Sequence, residues 1–190
     1  QRSFENAAHT GLTEDRARSL AHWCKNPLAS RAATTEAATD IAGQVFDAKG
    51  IPILDAMIEI WQANAAGRYA SSDDVRETVP IDPHFIGFGR ASVDPDGIYR
   101  FRTIRPGRVP GPGNTLQAPH LAVSVFGRGI LKRLATRLYF TDGEGNGDDP
   151  VLSAVPVERR ETLIAHQRDD RRWWFDIRLQ GEAETVFFAV

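Results

Sequence analysis

The chain has 190 residues, 42% of them hydrophobic and 25% charged, with a formal net charge of −2. That length suits one domain with a real core and is short for two, and the near-neutral balance excludes a nucleic-acid surface built on excess positive charge. Cys24 is the only cysteine, which excludes an intrachain disulfide and a thiolate metal cage. No apolar run reaches the roughly 18 residues of a membrane span, and Gln1 to Thr10 lacks the apolar centre of a secretory signal, so the cytoplasm is the default compartment.

Thr13-Glu14-Asp15 followed by Leu20, Trp23 and Cys24 reads as a short capped helix, and Ala29 to Asp40 as a loop of small polar residues. Strands follow. Ile41 to Phe46 ends at the turn Asp47 to Gly50, and Ala56 to Trp61 alternates with Ile58 and Ile60 on one face. Phe88 to Val93 and Ile98 to Ile104 flank Asp94-Pro95-Asp96-Gly97, which predicts a hairpin. His120 to Phe126 and Leu134 to Phe140 come next. Thr162 to Gln167 and Trp173 to Leu179 bracket Asp169 to Arg172 as a second hairpin, and Glu184 to Ala189 closes the series. Long loops run from Ala63 to Ile86 and from Arg105 to Pro119, the second rich in Gly and Pro; loops of that length usually carry function or an interface. Gly143 to Gly147 has no helix pattern after it and reads as a surface turn, not a phosphate loop.

The expectation is an all-β chain: a β-sandwich of about eight or nine mainly antiparallel strands with long loops and a short N-terminal helix. Residues 1–40 form an N-terminal arm and residues 41–190 the sandwich domain.

The strand at His120 bears on function. Two histidines in a His-x-His pattern on a strand share a face and can hold one metal. Here the second position is Ala122, and a methyl group ligates nothing. A lone strand histidine is usually satisfied by a local hydrogen bond. Tyr69 reads as a packed loop tyrosine, Trp61 as a core residue at a strand end, and Tyr99 and Tyr139 as structural.

Ile58-Glu59-Ile60-Trp61-Gln62-Ala63-Asn64-Ala65-Ala66-Gly67-Arg68-Tyr69 resembles the signature of the intradiol ring-cleavage dioxygenases. Ile98 to Gly107, the His120 strand and Arg133 to Phe140 continue the resemblance in register, which runs from about Ile41 to Val190. The resemblance implies a β-sandwich and a non-haem Fe(III) held by two tyrosinates and two histidines, a hard ion matched to anionic oxygen donors. It implies that O2 cleaves a catechol between its two hydroxylated carbons. Position by position, Tyr69 falls on the first tyrosinate, Val109 on the second, His120 on the first histidine and Ala122 on the second.

Arg159 to Ala165, Phe175 to Glu182 and Glu184 to Phe188 are similar to the non-iron-binding chain of the family's two-chain enzymes. The resemblance thus implies no metal in this chain. The Fe(III) would belong to a homologous partner chain, within a higher hetero-oligomer acting on a small aromatic substrate and O2. The start, Arg2 to Leu12, departs from the segment such chains place near the partner's pocket, except at its His9 to Leu12 end. Arg128 sits in a turn between Gly127 and Gly129; the resemblance puts it at the chain boundary, facing a substrate carboxylate, and an exposed turn arginine is the equal alternative. Two other readings stay open: a self-sufficient dioxygenase with substitute ligands, and a sandwich domain that only binds or scaffolds.

Overall fold

The computed structural model describes residues 38–189. The helix expected around Thr13 to Cys24 lies outside the described residues. Within them the strands are β1 (Ala38–Phe46), β2 (Met57–Trp61), β3 (Phe88–Ser92), β4 (Ile98–Ile104), β5 (Val109–Pro110), β6 (Leu116–Gln117), β7 (His120–Phe126), β8 (Leu134–Phe140), β9 (Ile164–Gln167), β10 (Trp173–Trp174) and β11 (Ile177–Arg178). The first strand begins at Ala38, inside the segment expected to be loop, because Ala38 to Asp40 extend the antiparallel pairing with Ile104 to Arg102 of β4.

The strands make a β-sandwich. One layer runs β3-β2-β7-β8; the other has β1 at its centre, with β4 on one side and β10 and β11 on the other. The ninth strand joins the layers. Ile164 and Ala165 run parallel to Tyr139 and Phe140 of β8, and the next two residues, His166 and Gln167, pair antiparallel with β10. Six of the described pairings are antiparallel and three parallel, in line with the mainly antiparallel expectation.

Alternation decides which side chains meet between the layers. Ile58 and Ile60 of β2, Leu121, Val123 and Val125 of β7, and Tyr99 and Phe101 of β4 are all buried in one core with Ile41, Val45, Phe140, Trp173 and Phe175. Each such aliphatic contributes about 1.5–3 kcal/mol relative to an exposed position. The Asp94 turn forms as expected, with Gly97 N–H on the Asp94 carbonyl at 2.9 Å, but it does not close a hairpin. The third strand pairs with β2 and the fourth with β1, so the turn crosses from one layer to the other. Gly89 shows why. A Cβ there would meet the Phe101 ring at 3.3 Å, so β3 and β4 face each other across the core and not edge to edge. The second expected hairpin does form, pairing Gln167 with Trp173.

The expected strand Trp173 to Leu179 is two short strands, interrupted at Phe175 and Asp176. There Asp176 Oδ1 accepts the Gln44 N–H at 3.0 Å and the Trp174 indole N–H at 2.8 Å, so a carboxylate replaces a ladder carbonyl beside β1. The close approach depends on Gly43, where a Cβ would lie 1.8 Å from the Phe175 carbonyl oxygen. The Tyr99 hydroxyl donates to that same carbonyl. Glu184 to Ala189 is not a strand either: Val186 and its neighbours bond to threonine side chains, Val186 N to Thr162 Oγ1 at 3.2 Å and Thr136 Oγ1 to Val186 O at 2.7 Å, leaving one bridge from Phe188 to Ala135.

Four elements went unforeseen: the β5-β6 ribbon inside the Gly/Pro-rich loop, a helix α1 (Pro150–Ala154), and 3-10 turns at Asn146–Asp148 and Val157–Leu163, the second of which delays the expected strand at Thr162 to Ile164. Asp149 caps α1, and it is fully buried. Its two oxygens accept from Val151 N, Leu152 N, Ala118 N and the Tyr139 hydroxyl at 2.7–3.1 Å. Asp149→Ala strips four donors of their acceptor at once. It is expected to lower unfolding stability by about 2–4 kcal/mol, read as a shifted denaturant midpoint at unchanged slope.

Candidate functional site: a cleft over Trp61, Tyr69 and Gln117

The stretch that carried the resemblance builds a loop first. Gln62, 1% exposed, ties β2 to β4: its Nε2 donates to Ile104 O at 3.0 Å and its Oε1 accepts from Thr103 Oγ1 at 2.7 Å. Buried Asn64 accepts the Arg68 N–H at 2.9 Å and donates to Pro80 O at 3.0 Å, pinning both ends of the long loop. Gly67 has φ 80°, and a Cβ there would sit 2.0 Å from Arg108 O, so only glycine lets the two long loops touch. The next residues then place Tyr69, whose N–H donates to Asp74 Oδ2 at 2.9 Å while Arg76 holds the same carboxylate at 2.6 Å.

Tyr69 stacks on Trp61, with ring centroids 5.9 Å apart and planes 9° off parallel. Together with Val109, Pro110, Gln117 and the Ser71 to Arg76 segment they line a cleft of about 480 Å³. Trp61 is therefore a half-buried cleft wall and not the core residue expected. Strand register fixes what lies beside the cleft: Trp61 of β2 is opposite Ala122 of β7, and Ala122 is opposite Arg137 of β8, so the three side chains form a row on one face. His120 precedes Ala122 by two and is opposite Tyr139 in the same ladder. Four residues assigned to metal positions, Tyr69, Val109, His120 and Ala122, are thus gathered at one end of the sandwich.

The surroundings of His120 are those of a satisfied core histidine. It is 5% exposed, and its Nδ1 lies 2.8 Å from the Ala118 carbonyl oxygen; a carbonyl only accepts, so Nδ1 carries the proton. Burial and the nearby Arg137 charge push its pKa down to about 4. The Tyr139 ring is 5.6 Å away, and burial raises its hydroxyl well above the usual tyrosine range. Burial likewise raises Tyr69, opposed by Arg137 and Arg76. Tyr99 and Tyr139 are buried and hydrogen-bonded, as structural tyrosines should be.

These residues do not fit a ferric ion. On the ligand positions that the resemblance implies, the cluster offers one phenol and one imidazole. At the other two, Val109, 4% exposed, offers hydrocarbon and Ala122 a methyl group. A guanidinium adjoins them: Arg137 Nη1 donates to Gln117 Oε1 at 2.6 Å and to the Tyr139 hydroxyl at 3.2 Å. A fixed cation beside a trivalent one is repulsive in a low-dielectric site. Among the described residues no three His, Cys, Asp or Glu side chains form a metal-holding group. Arg137 was not singled out from the sequence. The signal was available: an arginine inside an alternating strand, opposite Ala122 once β7 and β8 are aligned as a hairpin.

Arg128 is elsewhere. It follows β7, whose length puts about 20 Å between that turn and His120. Its side chain is 89% exposed, with Nε 3.3 Å from Asp55 Oδ2.

The sandwich agrees with the fold of known proteins this chain is similar to. The family model described as a dioxygenase matches residues 25–181, and the chain belongs to that family, the intradiol ring-cleaving dioxygenases, which as a group depend on non-haem Fe(III). Among its curated relatives, the protocatechuate 3,4-dioxygenase alpha chain of Burkholderia cepacia is 44% identical over 159 residues, 79% of this chain and 76% of the relative. The alpha chain of Pseudomonas putida is 40% identical over 154 residues, 78% of this chain and 74% of that one. The Burkholderia cepacia beta chain is 36% identical, covering 76% of this chain and 65% of its own length. Among solved structures, catechol 1,2-dioxygenase from Pseudomonas arvilla C-1 superposes with a TM-score of 0.59 at 23% identity, covering 80% of this chain and 54% of that one, a likeness of fold. No described helix is long and apolar enough to cross a membrane.

Proposed function

We propose that this chain is the alpha, non-iron-binding subunit of a protocatechuate 3,4-dioxygenase. That enzyme cleaves protocatechuate with O2 between the hydroxylated carbons to give 3-carboxy-cis,cis-muconate. The observation that carries the proposal is the broken donor set: Val109 and Ala122 stand in two ligand places, and Arg137 brings a fixed positive charge beside them. Fe(III) is then the partner beta chain's, and this chain supplies structure and part of the pocket wall. The test is metal analysis of the chain expressed alone and with its partner. The complex is expected to hold iron with the visible tyrosinate band, and the isolated chain to hold none. Near one iron per isolated chain would sink the proposal in favour of a self-sufficient enzyme.

Exposed apolar side chains support a partner surface. Val75, Ile81 and Ile86 lie on or at the end of the first long loop, Leu116 on the second, and Leu131, fully exposed, follows the Arg128 turn. Two homologous sandwiches pairing by pseudo-twofold symmetry would cover such residues in a contact of more than about 2,000 Å².

Arg128 is assigned the carboxylate of protocatechuate in the partner's pocket. Its exposed pair with Asp55 is worth at most about 1 kcal/mol, so it can exchange that partner for a substrate carboxylate. With the length of β7, about 20 Å, between it and His120, it is assigned to another chain's pocket and not to this chain's own cleft. Arg128→Ala is expected to raise KM for protocatechuate about ten- to a hundred-fold, to change KM for unsubstituted catechol far less, and to leave assembly intact. Equal losses for both substrates would make Arg128 a turn residue only.

A further inference from the structure

We propose that the cleft over Trp61, Tyr69 and Gln117 is a second, metal-free binding site for a small aromatic carboxylate, with the Arg137 guanidinium as the partner of the anion. The inference rests on the reading that this chain holds no iron, since the cation behind Gln117 is what replaces it.

The first support is an unbalanced charge. Arg137 is half-buried, and its hydrogen bonds go to two neutral groups, Gln117 Oε1 and the Tyr139 hydroxyl. Among the described residues no carboxylate lies within ion-pair distance of it. The nearest link to an acid is through Tyr139 to Asp149, whose oxygens are already engaged by Ala118 N, Val151 N and Leu152 N. On the cleft rim, Asp74 is held by Arg76, and Asp73 is exposed. A cation withdrawn from water without a counter-ion is unfavourable, and an anion beside it relieves that.

Shape is the second support. About 480 Å³ is within the range of sites for small ligands, and one wall is the flat Tyr69–Trp61 stack, suited to an aromatic ring. Arg137 lies directly behind the lining: its Nη1 donates at 2.6 Å to Oε1 of Gln117, which lines the cleft, so an anion reaches the guanidinium by taking the place of that amide oxygen. Third, the Tyr69 hydroxyl makes no hydrogen bond among the described residues, although the ring is half-buried; it is a donor awaiting an acceptor. A flat wall, a guanidinium and a phenol donor together select a ring bearing a carboxylate over an aliphatic acid or an inorganic anion.

The experiment counts sites on the purified complex of this chain with its iron-bearing partner. Calorimetric titration with 4-hydroxybenzoate, whose single hydroxyl cannot chelate, is run beside the visible tyrosinate band. The band reports occupancy of the iron pocket and is silent to this cleft. Two sites per pair of chains are expected, one of which leaves the band unmoved. Arg137→Gln is expected to weaken the silent site at least ten-fold, and Arg137→Lys to recover part of the loss. One site per pair in the unaltered complex, or a silent site indifferent to Arg137→Gln, overturns the inference, and the count on the unaltered complex decides even if a variant does not fold. Failure of the underlying reading looks different: iron in the isolated chain, or a band that follows both binding events.

Discussion

Gly43→Ala is expected to unfold the chain or to destabilise it by more than about 3 kcal/mol, beyond the usual range for a single added methyl group. The added Cβ would fall 1.8 Å from the Phe175 carbonyl oxygen and 2.7 Å from the Tyr99 hydroxyl. Neither neighbour is a flexible chain end. Phe175 is backbone, held by its own N–H on Ala42 O at 2.8 Å, and Tyr99 is 2% exposed and locked to that carbonyl. Relief therefore requires β1 to separate from the β10–β11 segment, which would break the Asp176 contacts to Gln44 and Trp174 as well. The measurement is a denaturant midpoint, with Gly127→Ala as the control. A Cβ at Gly127 meets only the tip of Ile130 at 3.4 Å, so that variant should stay close to the parent. Equal midpoints for both variants would mean that the splice beside β1 is not as tight as described.

Acidification from about pH 6.5 to about pH 4 is expected to remove roughly 3 kcal/mol of stability through His120 alone. Its folded pKa, about 4, is depressed by burial and by Arg137, with the Ala118 carbonyl and Asp149 opposing more weakly. The sign follows from that depression. Above the unfolded value of about 6.5 the histidine is neutral in both states and costs nothing. Below it the unfolded chain takes up a proton that the folded chain refuses until about pH 4, so stability falls across that window. Asp74 acts lower still: Arg76 and the Tyr69 N–H hold its carboxyl far below the usual range, and the stability it lends disappears only in strong acid. His120→Gln should flatten the profile between pH 6.5 and 4 while leaving the acid limb in place. A profile with the same slope in parent and variant would show that His120 is not buried neutral.

Three strands were read from the sequence at their true limits, Ile98 to Ile104, His120 to Phe126 and Leu134 to Phe140. In each, apolar residues alternate because one face packs inward, and that is a local property. What failed was relational. The Asp94 turn was recognised by its chemistry, but turn chemistry does not say whether the flanking strands share a sheet; Gly89 and Phe101 decide that by meeting across the core. The final segment lost its ladder to Thr136 and Thr162, whose hydroxyls meet Val186 from 50 and 24 residues away in sequence. The site divides the same way. The four residues that the resemblance assigns to ligand places, Tyr69, Val109, His120 and Ala122, were named from the sequence, and the structure brings them to one end of the sandwich. Arg137 was missed because its meaning lies in what it faces across β7, and Trp61 was misassigned because the stacking that makes it a wall depends on where a long loop carries Tyr69.

The central strand has a consequence for synthesis. The first strand is made early, yet its parallel neighbours are β10 and β11, and the Gln44–Asp176 bond spans 132 residues of chain. At about 5–20 residues per second on the ribosome, that edge of β1 stays open for roughly 7 to 26 seconds. Through that interval Ile41 and Val45 have no cover from Trp173 or Ile177, and the nascent chain offers other chains an unpaired edge. Chaperone supply and synthesis rate, more than final stability, should therefore set the yield of this protein, and a ribosome that stops before Trp173 releases a chain that cannot close.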